Sequence, residues 1–144
     1  MMSHPSWLND YKTLFETLTP QSVKQDFSRV FASNVYFKDP FNEVRGVREV
    51  QRIFEHMFTQ LHEPMFRVHE MAAHDTTAYL EWRFYFRRSA TSPVQQINGM
   101  SKILSDGQGK IIVHIDYWDS GEYVYRNVPI LSWFIRLIQR RLRA

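Results

Sequence analysis

The chain has 144 residues, too few for two independent cores, so one domain is expected. Apolar residues make up 44% and charged residues 23%, as in an ordinary soluble protein, the aromatic share of 15% is high, and the absence of cysteine excludes a disulfide framework and thiolate metal sites. The formal charge of +3 does not point to nucleic acid, because Arg136, Arg140, Arg141 and Arg143 lie in the last nine residues and removing them takes the charge to −1.

The opening Met1-Met2-Ser3-His4-Pro5 lacks a basic segment followed by an apolar run, so no signal peptide is expected. Nor is there an uncharged apolar stretch of about eighteen residues. A soluble protein in a reducing, cytoplasmic setting is the expectation. Trp7, Leu8, Tyr11, Leu14, Phe15 and Leu18 recur at helical spacing, and Thr19-Pro20 supplies an N-cap and a first helical residue for a second helix with Val23, Phe27, Val30 and Phe31 inside. Asn34 to Asp39 reads as a short strand, which Pro40 ends by forcing Asp39 out of helical geometry. After Gly46, the positions Val47, Val50, Ile53, Phe54, Met57, Phe58 and Leu61 make the clearest amphipathic helix.

From Phe66 the hydrophobic period changes from 3.6 to 2. Phe66 to His74 and Thr76 to Arg88 read as strands joined near Asp75, with Ala78, Leu80, Trp82, Phe84 and Phe86 on one face. Val94 to Ser105 and Lys110 to Asp119 pair around Asp106-Gly107-Gln108-Gly109, a hairpin signal. The expected fold class is α+β, with three N-terminal helices packed on a curved antiparallel sheet and a C-terminal helix added.

Two segments carry a family likeness. Phe37-Lys38-Asp39-Pro40-Phe41, followed by Gly46 and its helix, resembles the Asp-Pro-Phe turn of ketosteroid isomerases. Gly99-Met100-Ser101-Lys102-Ile103 through Gly109-Lys110-Ile111 to Tyr117-Trp118 is similar to the last hairpin of that family. On these residues the chain resembles the NTF2-like superfamily, of the SnoaL-like or ketosteroid-isomerase-like type, which implies a cone-shaped sheet around one pocket. In the isomerases the Asp before Pro carries the proton, a position held here by Asp39, while a Tyr and a protonated Asp form the oxyanion hole. Those last two positions fall on Phe15 and Ser101, with Tyr11 one helical turn away, so steroid isomerisation is not implied. The resemblance to SnoaL-type cyclases, which use an Asp on the last strand near a His, points instead to Asp116 and His114.

If Trp118 faces the pocket, alternation sends His114 and Asp116 to the same side and Val113, Ile115 and Tyr117 outward. The candidate catalytic residues are then Asp39, His114 and Asp116, and the candidate ligand-binding residues Ser101, Trp82, Phe84, Trp118, Phe15 and Tyr11. Asp39 also has a plainer reading, closing its turn by accepting backbone N–H groups. His114 and Asp116 have one too, as a pair that satisfies itself in the sheet. No metal site, cofactor or nucleic-acid partner is expected, since no nucleotide fingerprint, nucleophile elbow or paired-His motif is present.

Two segments are expected: a domain over 1–128 and a basic amphipathic helix over 129–144. The helix begins at Pro129 and crowds Ile130, Leu131, Trp133, Phe134, Ile135, Leu137, Ile138 and Leu142 around most of its circumference. A lid or packing helix is the first reading, and peripheral contact with a membrane the alternative. The outward row of Val113, Ile115, Tyr117, Tyr79 and Tyr85 calls for a homodimer partner. The expected function is a pocket for a hydrophobic small molecule, serving an acid/base isomerase, cyclase or hydratase. The alternative is a non-catalytic carrier of a lipophilic ligand, membrane-associated through its last helix.

Overall fold

Two helices, α1 (Ser6–Glu16) and α2 (Pro20–Val30), open the computed structural model, which describes residues 3–143. Met1, Met2 and Ala144, the outer bounds of the two segments expected from the sequence, lie outside the described residues. Thr19 caps α2 as its sequence demands. Its Oγ1 accepts from the Ser22 N–H at 3.0 Å while Ser22 Oγ accepts from the Thr19 N–H at 2.9 Å, so two helix-end donors are satisfied reciprocally. At the other end of α2, Lys110 Nζ donates to the carbonyls of Ser28 (2.6 Å) and Arg29 (2.9 Å), tying the last hairpin to the helix.

The helix stops at Val30, and Phe31 starts strand β1 (Phe31–Lys38) instead of closing the helix face. A β-branched residue followed by a ring suits the extended backbone, and Phe31 stays buried either way. Strand β2 (Glu43–Arg45) returns antiparallel to β1, an element too short to show a pattern in sequence. Gly46 then starts α3 (Val47–Gln60) at φ +102°, a conformation that favours glycine, with Val47, Val50 and Phe54 buried.

The remaining strands are β3 (His62–His74), β4 (Thr77–Arg87), β5 (Gln95–Ser105) and β6 (Ile111–Trp118). The sheet order is β2-β1-β6-β5-β4-β3. Every neighbouring pair is antiparallel except β1 and β6, which run parallel with Phe37 beside His114. The expected antiparallel sheet is therefore mixed at this one seam. Strand β3 begins before the expected Phe66 and contains Pro64, which is tolerated because β3 is an edge strand whose outer N–H groups need no partner.

The aromatic surplus is stored between the helices and the inner sheet face. Phe15 packs on Phe27, Phe31, Phe54 and Phe66 with ring centroids 5.3 to 6.2 Å apart. The inner rows of β4 and β5, including Ala78, Leu80, Trp82, Phe84 and Ile103, complete the core. After β6 come a single helical turn α4 (Ser120–Tyr123), a 3-10 turn (Tyr125–Asn127) and α5 (Pro129–Leu142), whose main contacts are with that 3-10 turn. In this arrangement α5 does not close the cavity as a lid. No helix among the described residues is long and apolar enough to cross a membrane.

Candidate functional site

Strand alternation puts His114, Asp116 and Trp118 on the inner face of β6. Asp116 lies directly opposite Ser101 on β5, and Gly99 lies opposite both Trp118 on β6 and Trp82 on β4. Cross-strand neighbours are close enough for side chains to meet. Ser101 Oγ donates to Asp116 Oδ1 at 2.5 Å, and Trp82 Nε1 donates to Ser101 Oγ at 2.8 Å. Gly99 makes this possible, because the outer ring of Trp82 occupies the space that a Cβ there would fill. Nothing in the strand pattern alone singles out that glycine.

From the other side, His114 Nε2 bonds Asp116 Oδ1 at 2.7 Å and His114 Nδ1 lies 3.2 Å from the Tyr11 hydroxyl. Every proton finds one acceptor when Nε2–H donates to the carboxylate and Tyr11 O–H donates to Nδ1, the tautomer we assign. Burial, and then the charge of Asp116, push the Tyr11 phenol well above its ordinary range, so Tyr11 keeps the proton it donates. The result is a chain running from Trp82 through Ser101, Asp116 and His114 to Tyr11.

Of this chain, Trp82 and Asp116 line the main cavity. His114 is 1% exposed and packed at tilted angles among Phe37, Phe31 and Phe15, whereas the Asp116 side chain is 16% exposed. Both bonds to Asp116 fall on Oδ1; among the described residues Oδ2 has no partner, and it is not a buried orphan. Oδ2 is therefore the carboxylate oxygen left free of protein partners, on a residue that lines the cavity.

The cavity above it measures about 950 Å³, within the upper range of small-molecule sites. Trp82, Phe84, Phe86, Phe66 and Ile97 wall the sheet side, and Ile53, Phe54, Met57 and Leu61 the α3 side. Trp118 stands at the mouth, edge-on to Phe41 at 5.4 Å. Behind Asp116 lies a niche of about 20 Å³ bounded by Tyr11, Phe15, Phe66, Ser101 and His114. Its polar neighbours are already bonded to one another.

Asp39 stands apart from the chain. Its Oδ1 accepts from the backbone N–H of Phe41 and of Asn42, both at 2.7 Å, and Asn42 Nδ2 spans both its oxygens at 3.1 and 3.0 Å. It borders the same cavity mouth as Asp116, but its carboxylate is held in the turn. Phe15 and Tyr11 line the niche and not the main cavity, and Ser101 spends its proton on Asp116. Exposed residues that line this cavity and that the sequence did not single out include His56, Arg52 and Gln60 on α3 and Arg88 just after β4. Among the described residues no group of three or more histidines and carboxylates is placed to hold a metal ion.

The SnoaL-like domain profile matches residues 11–114, more than half of the chain. The protein belongs to the SnoaL-like family. This SnoaL-like domain has the same fold as an NTF2-like protein from Exiguobacterium sp. 255-15, 19% identical, TM-score 0.66, with 79% of this chain and 98% of that one covered. A protein from Jannaschia sp. CCS1, assigned as a SnoaL-like polyketide cyclase, gives 7% identity and TM-score 0.70 over 85% of this chain and 94% of that one. An epoxide hydrolase of the LEH-like type from M. tuberculosis gives 14% identity and TM-score 0.61 over 80% and 81%. At these identities the likeness is one of fold. No functionally curated protein matches the SnoaL-like chain.

Proposed function

We propose that this SnoaL-like protein is an acid/base enzyme acting on a hydrophobic small molecule, with Asp116 as the group that exchanges a proton with it. The observation that carries this reading is the division of labour on one carboxylate: Oδ1 is fixed by Ser101 and His114, and Oδ2 is left without a protein partner on a residue that lines a largely apolar cavity. A fixed carboxylate beside a bound, desolvated ligand is positioned to take a proton from one atom and return it to another. His114 and Tyr11 act through Asp116, holding its orientation, and are positioning residues. Trp82, Phe84 and Trp118 supply the apolar contact that binds the ligand. Isomerisation, cyclisation, and hydration or dehydration all fit such a step. Asp39 has no proton-carrying role in this reading, because four hydrogen bonds from Phe41 and Asn42 hold its carboxylate in its own turn.

A second reading, a non-catalytic carrier of a lipophilic ligand, is favoured by one observation. The donors at the deep end, Trp82, Ser101 and Tyr11, already have acceptors, which leaves none of them for a developing oxyanion. The test is a panel of lipophilic ketones in deuterated buffer, with binding followed by tryptophan quenching and exchange at the carbon beside the carbonyl by mass spectrometry. Exchange that Asp116→Asn abolishes while quenching persists supports the enzyme. Quenching without exchange in the wild type supports the carrier, and exchange unchanged in Asp116→Asn removes Asp116 from the mechanism.

A homodimer is part of the same proposal. Tyr79, Met100 and Tyr117 are exposed on the outer sheet face, and a second copy would cover them. A cytoplasmic setting belongs to it too and rests on the cysteine-free sequence.

A further inference from the structure

Helix α5 is built inside out. Its most protected residue is Ser132, 7% exposed, with Gln139 and Ile135 half-buried on the same side toward the rest of the chain. The opposite arc carries Ile130, 77% exposed, and Trp133, 60% exposed, together with Phe134, Ile138 and Leu142. At 100° per residue these side chains sweep about half the circumference, with Arg141 near the C-terminal end projecting within the same arc. A helix whose partner were water would show the reverse arrangement.

Charge identifies the covering partner. From Pro129 to Leu142 there is no Asp or Glu, while Arg136, Arg140 and Arg141 lie in the helix and Arg143 follows it. Packing two copies of α5 together would bring six arginines, and the two Arg143 that follow, close to one another with no carboxylate from either helix to offset them. An anionic lipid surface meets both demands at once. Its headgroup phosphates take the guanidinium groups, in bidentate fashion where the geometry allows, and its acyl boundary takes the isoleucines and rings. Fourteen residues span about 21 Å, too short to cross a bilayer, so the helix lies in the surface plane.

We propose that α5 docks this protein on anionic membranes, with Ile130, Trp133, Phe134 and Ile138 in the headgroup boundary and the arginines against lipid phosphates. The docking places the cavity mouth near the lipid. The residues just before α5 carry the rim: Tyr123 and Val124 line the cavity, and Tyr125 meets Phe41, itself against Trp118. A lipophilic ligand leaving the bilayer would enter over exposed Phe41 and Tyr125. The proposal is independent of any chemistry at Asp116.

The test is flotation of the full chain with phosphatidylcholine vesicles, with and without phosphatidylglycerol, at low and high salt. Expected is binding to the anionic vesicles that weakens as salt rises and a much weaker association with phosphatidylcholine alone. Replacing Arg140 and Arg141 with Gln should weaken binding about fivefold for each charge removed. The double variant Ile130→Glu/Phe134→Glu should abolish it with the thermal midpoint unchanged, since both side chains are exposed. Deletion after Val128 is the second route to the same loss. Absence of flotation overturns the proposal, as does binding that survives the deletion or ignores both salt and lipid charge. A lipid-free dimer, seen by sedimentation velocity and dissolved by Ile130→Glu/Phe134→Glu, would assign the arc to a second copy instead.

Discussion

Gly99→Ala tests whether one missing methyl group sets the floor of the cavity. A Cβ on Gly99 would fall 2.3, 2.4 and 2.9 Å from Cη2, Cζ2 and Cζ3 of Trp82, far inside the ~3.5–4.0 Å of ordinary carbon contact. The indole has little freedom to withdraw: Phe66 stands edge-on at 5.9 Å, and Nε1 is bonded to Ser101. Swinging the ring costs overpacking of about 1–3 kcal/mol. Losing the Ser101 bond adds about 1 kcal/mol. We expect a total near 3 kcal/mol, or roughly 9 °C in thermal midpoint for a chain of this size. The assay is urea unfolding of the wild type, Gly99→Ala, Trp82→Phe and the double variant. Phe in place of Trp82 lacks the outer ring atoms, so the double variant should be more stable than the two single losses imply, by about 1–2 kcal/mol. Strictly additive losses, or a Gly99→Ala protein within about 0.5 kcal/mol of wild type, would refute the close-approach argument.

Tyr11 gives an alkaline signature. The fold holds its phenol proton above the pH at which an unfolded tyrosine releases it, so stability falls as pH rises past about 10, by at most ~1.4 kcal/mol per pH unit for this group. Tyr11→Phe should show a shallower decline in urea stability between about pH 9 and pH 11 than the wild type, and an equal slope would remove Tyr11 as its source. Thr19→Ala removes both the acceptor for the Ser22 N–H and the reciprocal box, for an expected loss of about 1 kcal/mol by the same unfolding assay. Tyr117→Glu puts a charge on the exposed outer face of β6 and should shift sedimentation from dimer to monomer without changing the thermal midpoint of the protomer.

The inner face of the sheet was legible in the sequence because β-strand side chains alternate with a period of two, and the rows Trp82-Phe84-Phe86 and His114-Asp116-Trp118 keep that period without a bulge inside them. The parallel seam between β1 and β6 was not legible, since pairing across some 75 residues leaves no local signal. Tyr11 and His114 are 103 residues apart, and their contact depends on where α1 rests on the sheet, which helical periodicity does not specify. Gly99 looked like any strand glycine until Trp82 was seen lying over it. Asp39 carries two readings in the sequence, a proton carrier by the Asp-Pro-Phe likeness and an acceptor that closes its turn, and the backbone N–H groups of Phe41 and Asn42 bond its carboxylate as the second expects.

The resemblance to SnoaL-type cyclases points to Asp116, and the geometry of this chain supports the same residue independently. The family match ends at His114, two residues before the carboxylate, and the solved relatives cited are 19% identical or less. What puts Asp116 forward is its place in this chain: directly opposite Ser101, two residues past a buried histidine, on a strand whose next inward residue is at the cavity mouth. A one-residue slip of β6 against β5 would turn Asp116 to the outer face and bring Ile115 and Tyr117 in. His114 opposes that slip, because the shifted register would turn its buried ring out from among Phe37, Phe31 and Phe15 and break its bonds to Asp116 and Tyr11. The packing that buries His114 therefore also keeps Asp116 on the cavity side of the sheet.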